Sequence, residues 1–144
     1  MIMKFDGSHS FLSNFHPWPV RYKGFIYPTS EHAFQASKAV NIEDVLWIAS
    51  ASTPGIAKSR GRRVRMRDDW DSIKLSCMLS ITRVKFELPE RRELLLNTSD
   101  VPLIEGNYWH DQFWGNCMCS KCPDPGKNYL GKILMHVRKE LRQS

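Results

Sequence analysis

Tyr27-Pro28-Thr29-Ser30-Glu31-His32-Ala33-Phe34-Gln35-Ala36-Ser37-Lys38 is the stretch from which the rest of the chain can be read. Pro28 fixes its own φ and biases Tyr27 toward an extended backbone. Thr29 or Ser30 supplies an oxygen that can accept from an orphan N–H of a first helical turn, so a helix is expected to begin here. Glu31 falls in that turn, where the positive end of the helix dipole favours an ionised carboxylate. Glu31, Phe34, Gln35 and Lys38 recur at i, i+3, i+4 and i+7, which is one helical face. A core stripe would be apolar, whereas this one holds a carboxylate, a ring, an amide and an ammonium. It fits either a polar pocket wall or an ordinary amphipathic helix with an i,i+4 network.

Upstream, Val20-Arg21-Tyr22 and Phe25-Ile26-Tyr27 flank Lys23-Gly24, which predicts a hairpin within a small N-terminal β and loop region. Asn14 lies between Phe11 and Phe15, as a turn residue or as a polar group held by packed neighbours. Downstream, Asn41 opens a short second helix, and Thr53-Pro54 caps and starts a third that Gly61 should end. Residues 58–67 carry six cations in ten positions, a solvated charge run or an anion site. Trp70, Ile73, Cys77, Ile81, Val84 and Leu88 step by three and four along a long helix that Asp68, Asp69 and Asp71 cap. Pro89 opens another short helix, Val101 to Glu105 is expected to be extended, and Leu130 to Leu141 form the apolar face of a last helix.

With 144 residues, 42% hydrophobic and 25% charged, the chain has the size and make-up of one soluble domain, 1–144, with no membrane partner. The N-terminal Met1-Ile2-Met3-Lys4 is not expected to act as a signal peptide. A net charge of +6 points to an anionic partner, whether nucleic acid, nucleotide or sugar phosphate. Four cysteines, three of them at 117–122, do not make a disulfide framework, and a reducing, cytoplasmic setting is expected. Cys117-x-Cys119-x-x-Cys122 with His110 nearby raises zinc, but the spacing is uneven and a second paired knuckle is missing. Free thiols on a loop are therefore expected, with no metal and no cofactor. The sequence contains no Gly-rich phosphate loop, GxSxG elbow or HExxH, which sets aside P-loop kinases, α/β-hydrolases and zincins. Two acidic residues remain, Glu31 and Asp111, each flanked by aromatics and amides. They suit cleavage of a bond beside an anionic, ring-bearing ligand.

Several blocks together resemble the YbiA-like, or NADAR, family. They are Phe11-Leu12-Ser13-Asn14-Phe15, the PTSEH-x-FQ run from Pro28 to Gln35, Ser59-Arg60-Gly61-Arg62, Asp69-Trp70, Phe113-Trp114-Gly115 and the GKN-x-LG run from Gly126 to Gly131. They occur in the family's order and cover about residues 5 to 142. The resemblance implies a predominantly α-helical α+β domain with a small N-terminal β region. It also implies hydrolysis of N-glycosidic bonds, in ribosylamino-pyrimidine phosphates of riboflavin biosynthesis. The alternatives are removal of ADP-ribose from guanine, free or in nucleic acid, and a silent ADP-ribose-binding module. By matching position, Glu31 is the carboxylate at the reacting carbon, Asp111 a sugar-binding or water-positioning group, and Trp70 a wall or stacking surface for the base. Asn14, Phe15, His32, Gln35, Gly61, Trp114 and Asn128 are expected around the substrate, and Arg60, Arg62 and Lys127 at its phosphate. The chain departs from the family between Cys117 and Pro125, an insertion where simpler relatives have a short glycine-rich connection.

Overall fold

In a computed structural model, residues 1–122 and 124–144 are described; Pro123, inside the 117–125 insertion, lies outside the described residues. The fold is a mostly helical α+β arrangement, and the chain packs as two compact units, Asn14–Glu87 and Met1–Ser13 with Leu88–Ser144.

The Asn14–Glu87 unit is built around the quoted stretch. Strands β1 (Val20–Tyr22) and β2 (Phe25–Tyr27) pair antiparallel with Val20 opposite Tyr27 and Tyr22 opposite Phe25. Lys23 and Gly24 at the turn both have positive φ, 49° and 87°, the left-handed pair that matches the twist of a two-residue hairpin. Helix α1 (Ser30–Ser37) starts where Thr29 Oγ1 accepts from the His32 N–H at 3.2 Å. Helices α2 (Ile42–Ala49) and α3 (Pro54–Gly61) are capped in the same way by Asn41 and Thr53. These two helices, with α4 (Trp70–Lys85) and both strands, surround α1. That is why seven of its eight residues are buried despite their polarity. Gly61 is the last residue of α3 without a positive φ, and packing explains why it is glycine. A Cβ there would collide with Gln35 Oε1 and approach Gln35 Cδ to 2.9 Å, so only glycine lets α3 close on α1. At α4 the expected cap takes another form. Asp69 occupies the N-cap position without a side-chain cap bond, because both carboxylate oxygens accept from the Arg67 guanidinium at 2.9 Å.

In the other unit, a 3-10 helix (Gly7–Leu12) stands where the sequence suggested strand and loop, and it buries Phe11 and Leu12. Helix α5 (Pro89–Leu96) packs on α6 (Tyr129–Arg142), whose Leu130, Leu134 and Val137 are buried as expected. Leu103, in the segment read as extended, bridges to Ile2. Between these helices β3 (Gly106–Asn107) and β4 (Asn116–Cys117) form a parallel pair with Asn107 opposite Cys117. Among the described residues, no helix is long and apolar enough to cross a membrane.

Candidate active site

The Glu31 carboxylate is carried in the first turn of α1, and only 8% of the residue is exposed. Its backbone N–H donates to the Asn14 carbonyl at 3.0 Å, and Asn14 Nδ2 in turn donates to Met78 Sδ at 3.4 Å. Asn14 thus ties the segment before the hairpin to the start of α1, a wider role than a turn residue bonding its own backbone. One turn on, Gln35 Nε2 donates to Glu31 Oε2 at 3.0 Å, fixing the carboxylate, while Gln35 Oε1 is buried with no protein partner. That oxygen packs against Gly61, so the amide's role here is to hold the carboxylate.

Lys38, two turns from Glu31, is half-buried, and burial is the largest cause that lowers its pKa. Glu31 opposes that shift, while Arg62, Lys58 and Lys74 add to it. One carboxylate and four cations therefore share an electrostatic neighbourhood along α1. Lys38 was readable as i+7 from Glu31 and Lys58 as part of the 58–67 basic run; Lys74 comes from α4 and carries no such signal. Phe15, directly after Asn14, leaves 42% of its surface exposed, an accessible ring on this unit.

Other sequence candidates have different roles. His32 is 1% exposed, and its Nε2 faces the Ala51 carbonyl at 2.9 Å, an acceptor only, so that nitrogen carries the proton. Nδ1 faces Thr29 Oγ1 at 2.7 Å, and burial lowers the imidazole pKa. Both nitrogens are engaged inside the fold, which makes His32 a strut between α1 and the Ala51 backbone. Trp70 is 5% exposed and lies against Phe34 with ring centroids 5.1 Å apart, tilted by 50°. It backs the helix face as core and offers no open ring for a base to stack on. Arg60 donates to the Trp47 carbonyl at 2.6 Å and to Ser50 Oγ at 3.2 Å, and its guanidinium sits 5.0 Å from the Trp47 ring centroid. That fork caps the end of α2. Arg62 is exposed and keeps its fork for solvent or ligand. A hollow of about 400 Å³ beside this loop is lined by Ala39, Val40, Arg65, Arg67, Asp68 and Asp69, and Glu31 is not part of it.

In the second unit, Asp111 Oδ1 accepts from the backbone N–H groups of Phe113 (3.1 Å) and Trp114 (3.0 Å), which makes it the cap of a turn. Asn128 has φ 50°, donates through Nδ2 to the Leu103 carbonyl at 2.9 Å and accepts from the Glu105 N–H at 3.0 Å. Its amide clamps the 103–105 segment to the start of α6. Trp114 is half-buried, edge-on to Phe113 at 4.8 Å, and Lys127 is exposed. His110, which the sequence set near the cysteine triplet, has Nδ1 at 3.2 Å from Cys122 Sγ, 3.4 Å from Cys119 Sγ and 3.6 Å from Cys117 Sγ. Hydrogen bonding from Cys117 lowers the Cys119 thiol to about 6, and bonding to Cys119 raises Cys122 to about 12. Those opposed shifts are what crowded sulfurs sharing one negative charge would show.

The NADAR domain family matches residues 3–142. The chain belongs to that family. Among NADAR relatives, N-glycosidase YbiA of Escherichia coli is 39% identical over 133 residues, which are 90% of this chain and 80% of that protein. An N-glycosidase of Nostoc punctiforme is 39% identical over 137 residues, 91% of this chain and 85% of its own length. A riboflavin biosynthesis protein of Vibrio vulnificus is 35% identical over 142 residues, 96% of this chain and 37% of that protein. The NMR structure of E. coli YbiA superposes with a TM-score of 0.85 at 35% identity, covering 99% of this chain and 86% of that one. The NADAR blocks therefore lie on a shared fold.

Proposed function

We propose that this chain is an N-glycosidase that hydrolyses a small phosphorylated N-riboside, a ribosylamino-pyrimidine phosphate of the riboflavin pathway, in the cytoplasm. The observation that carries the reading is Glu31: a buried carboxylate at the start of α1, fixed by Gln35 and set among cations. Relatives named N-glycosidase and riboflavin biosynthesis protein support the reaction and the substrate class.

An N-glycoside breaks through an oxocarbenium-like transition state, with positive charge growing on the anomeric carbon as the base departs. A fixed carboxylate stabilises that charge more than it stabilises the neutral ground state, which is the condition for rate acceleration. The carboxylate can take a proton from the attacking water and return it to the departing nitrogen, so that water's hydroxyl ends on the anomeric carbon and its proton on the base. Gln35 is a positioning residue, keeping Glu31 in one rotamer. Lys38 and Arg62, with Lys58 beside them, supply phosphate binding, Arg62 through a fork that can meet two oxygens at once. Phe15 supplies a ring face for the pyrimidine.

Product analysis tests the assignment. The pure protein is incubated with a ribosylamino-pyrimidine phosphate and, separately, with ADP-ribosylated guanine. The expected result is free base and ribose phosphate from the first. Release from the second substrate alone, or from neither, would overturn it.

A further inference from the structure

The glycosidase chemistry proposed above uses neither His110 nor the three clustered cysteines. The geometry points to a structural zinc site made by His110 Nδ1 and the sulfurs of Cys117, Cys119 and Cys122. These four ligand atoms lie within 4.8 Å of one another. Zinc holds sulfur at about 2.3 Å and imidazole nitrogen at about 2.0–2.1 Å, so tetrahedral ligands sit roughly 3.5–3.8 Å apart. The nitrogen–sulfur separations of 3.2, 3.4 and 3.6 Å already approach that spacing. Three sulfurs converging on one nitrogen suit a central cation better than a disulfide, which would join two of them and strand the third.

Asn107 links the two parts of the cluster, through β4 on one side and the His110 turn on the other. Cys117 is fixed in β4 by its pairing with Asn107 of β3, and the Met118 N–H donates to the Asn107 carbonyl at 2.6 Å. Cys119, at a bend two residues on, brings its sulfur to 3.4 Å from the same imidazole nitrogen. A turn at Ser120-Lys121 brings Cys122 back, and the backbone N–H groups of Lys121 and Cys122 bond to Cys119 sulfur. Amide bonds onto sulfur around a C-x-x-C turn are the outer-shell contacts that stabilise a bound thiolate. His110 has φ +69°, a left-handed conformation that is costly for a residue with a Cβ. That conformation is held from the next residue: Asn107 donates to the Asp111 carbonyl at 2.9 Å and accepts from its N–H at 3.0 Å. Gln112 braces the far side, accepting from the Cys117 N–H at 2.6 Å and donating to the Asp124 carbonyl. The second knuckle that the sequence lacks is thus replaced by a single histidine from a strained turn. Three thiolates and one imidazole fill four positions and leave none for water, which makes the site structural. Such a thiolate-rich tetrahedral set favours zinc over hard cations.

The full chain, without a metal-binding tag, is purified under reducing conditions free of chelator, and its metal is quantified by mass spectrometry. The expected content is about one zinc per chain. Cys122→Ser and His110→Ala should each lower it by about tenfold or more in a fixed zinc buffer. Cys77→Ser, at a buried cysteine outside the cluster, should keep it. Replacement by cobalt in the wild type should give thiolate charge-transfer absorption and strong tetrahedral d–d bands. That measurement decides even if a variant fails to fold. Folded wild-type protein that takes up no zinc from such a buffer would overturn the proposal. So would stoichiometric iron, a disulfide within the cluster in the reduced protein, or zinc retained by His110→Ala and Cys122→Ser together.

Discussion

The α1 face and the 105–128 segment look alike as sequence: each has a carboxylate, amides and large aromatics. They differ in where their polar groups go. On α1, Glu31 has one oxygen fixed by Gln35 and sits amid cations. In 105–128, Asn107, Asp111, Gln112 and Asn128 all bond to backbone of the same segment or its neighbours. A side chain whose acceptors are filled by backbone N–H groups holds shape, because using it elsewhere would strand those groups unpaired. The first region is therefore built for chemistry and the second for its own architecture.

The largest effect expected from this contrast is at Glu31. Glu31→Gln should lower kcat by about 10²–10⁴-fold with a melting temperature close to wild type, because the side chain keeps its size and loses its charge. Near-normal turnover in a folded variant would move the chemistry off α1. Next come the cations. Arg62→Lys and Lys38→Met should each raise KM for a phosphorylated substrate by about tenfold, roughly the loss of one charge-assisted bond. The dephosphorylated analogue should show little change, whereas Arg60→Lys should lower the melting temperature through the end of α2 and leave the ratio of the two KM values intact. A comparable KM change for both substrates would show that these cations do not meet phosphate.

Asp111→Asn should fall below either of these, within a few-fold of wild-type kcat, because an amide oxygen can still accept from Phe113 and Trp114. A loss of the size given by Glu31→Gln would make the two regions equals. Smallest is a pH effect on stability. Burial holds the His32 imidazole below its ordinary 6.5, so the unfolded chain takes up a proton that the folded chain refuses. Stability from this group is full above pH 6.5 and falls as the pH drops below it, by at most about 1.4 kcal/mol per pH unit. Denaturant melts across that range should show the decline in wild type and a flatter profile in His32→Leu.

Much of the helical layout was legible because its signals are local. Thr29, Asn41 and Thr53 cap helices that start within a residue or two, and Lys23-Gly24 dictates its own turn. Glu31, Gln35 and Lys38 were legible for the same reason, since helical spacing alone aligns them. The fate of other polar residues depends on partners distant in sequence. Arg60 meets the end of a preceding helix, Asn128 meets Leu103, and Trp70 meets Phe34. Asp69 looked like a helix cap and instead pairs with Arg67, two residues away, because a fork-to-fork bond outcompetes a single amide. His110 shows the same limit. Its convergence on the cysteines needs a strand pairing of two residues and one left-handed backbone, neither of which leaves a periodic trace.

Gly61 has no side chain, yet it records the presence of one. Its missing Cβ is the space that the Gln35 amide occupies. The two positions can therefore drift only together. A lineage that shortened residue 35 would release position 61 from glycine, and α3 could then take alanine with better helix propensity. A lineage that kept the amide would keep the hole. An ordinary residue at 61 in a descendant of this chain would then be a molecular fossil of abandoned catalysis, readable even where Glu31 itself had not yet changed.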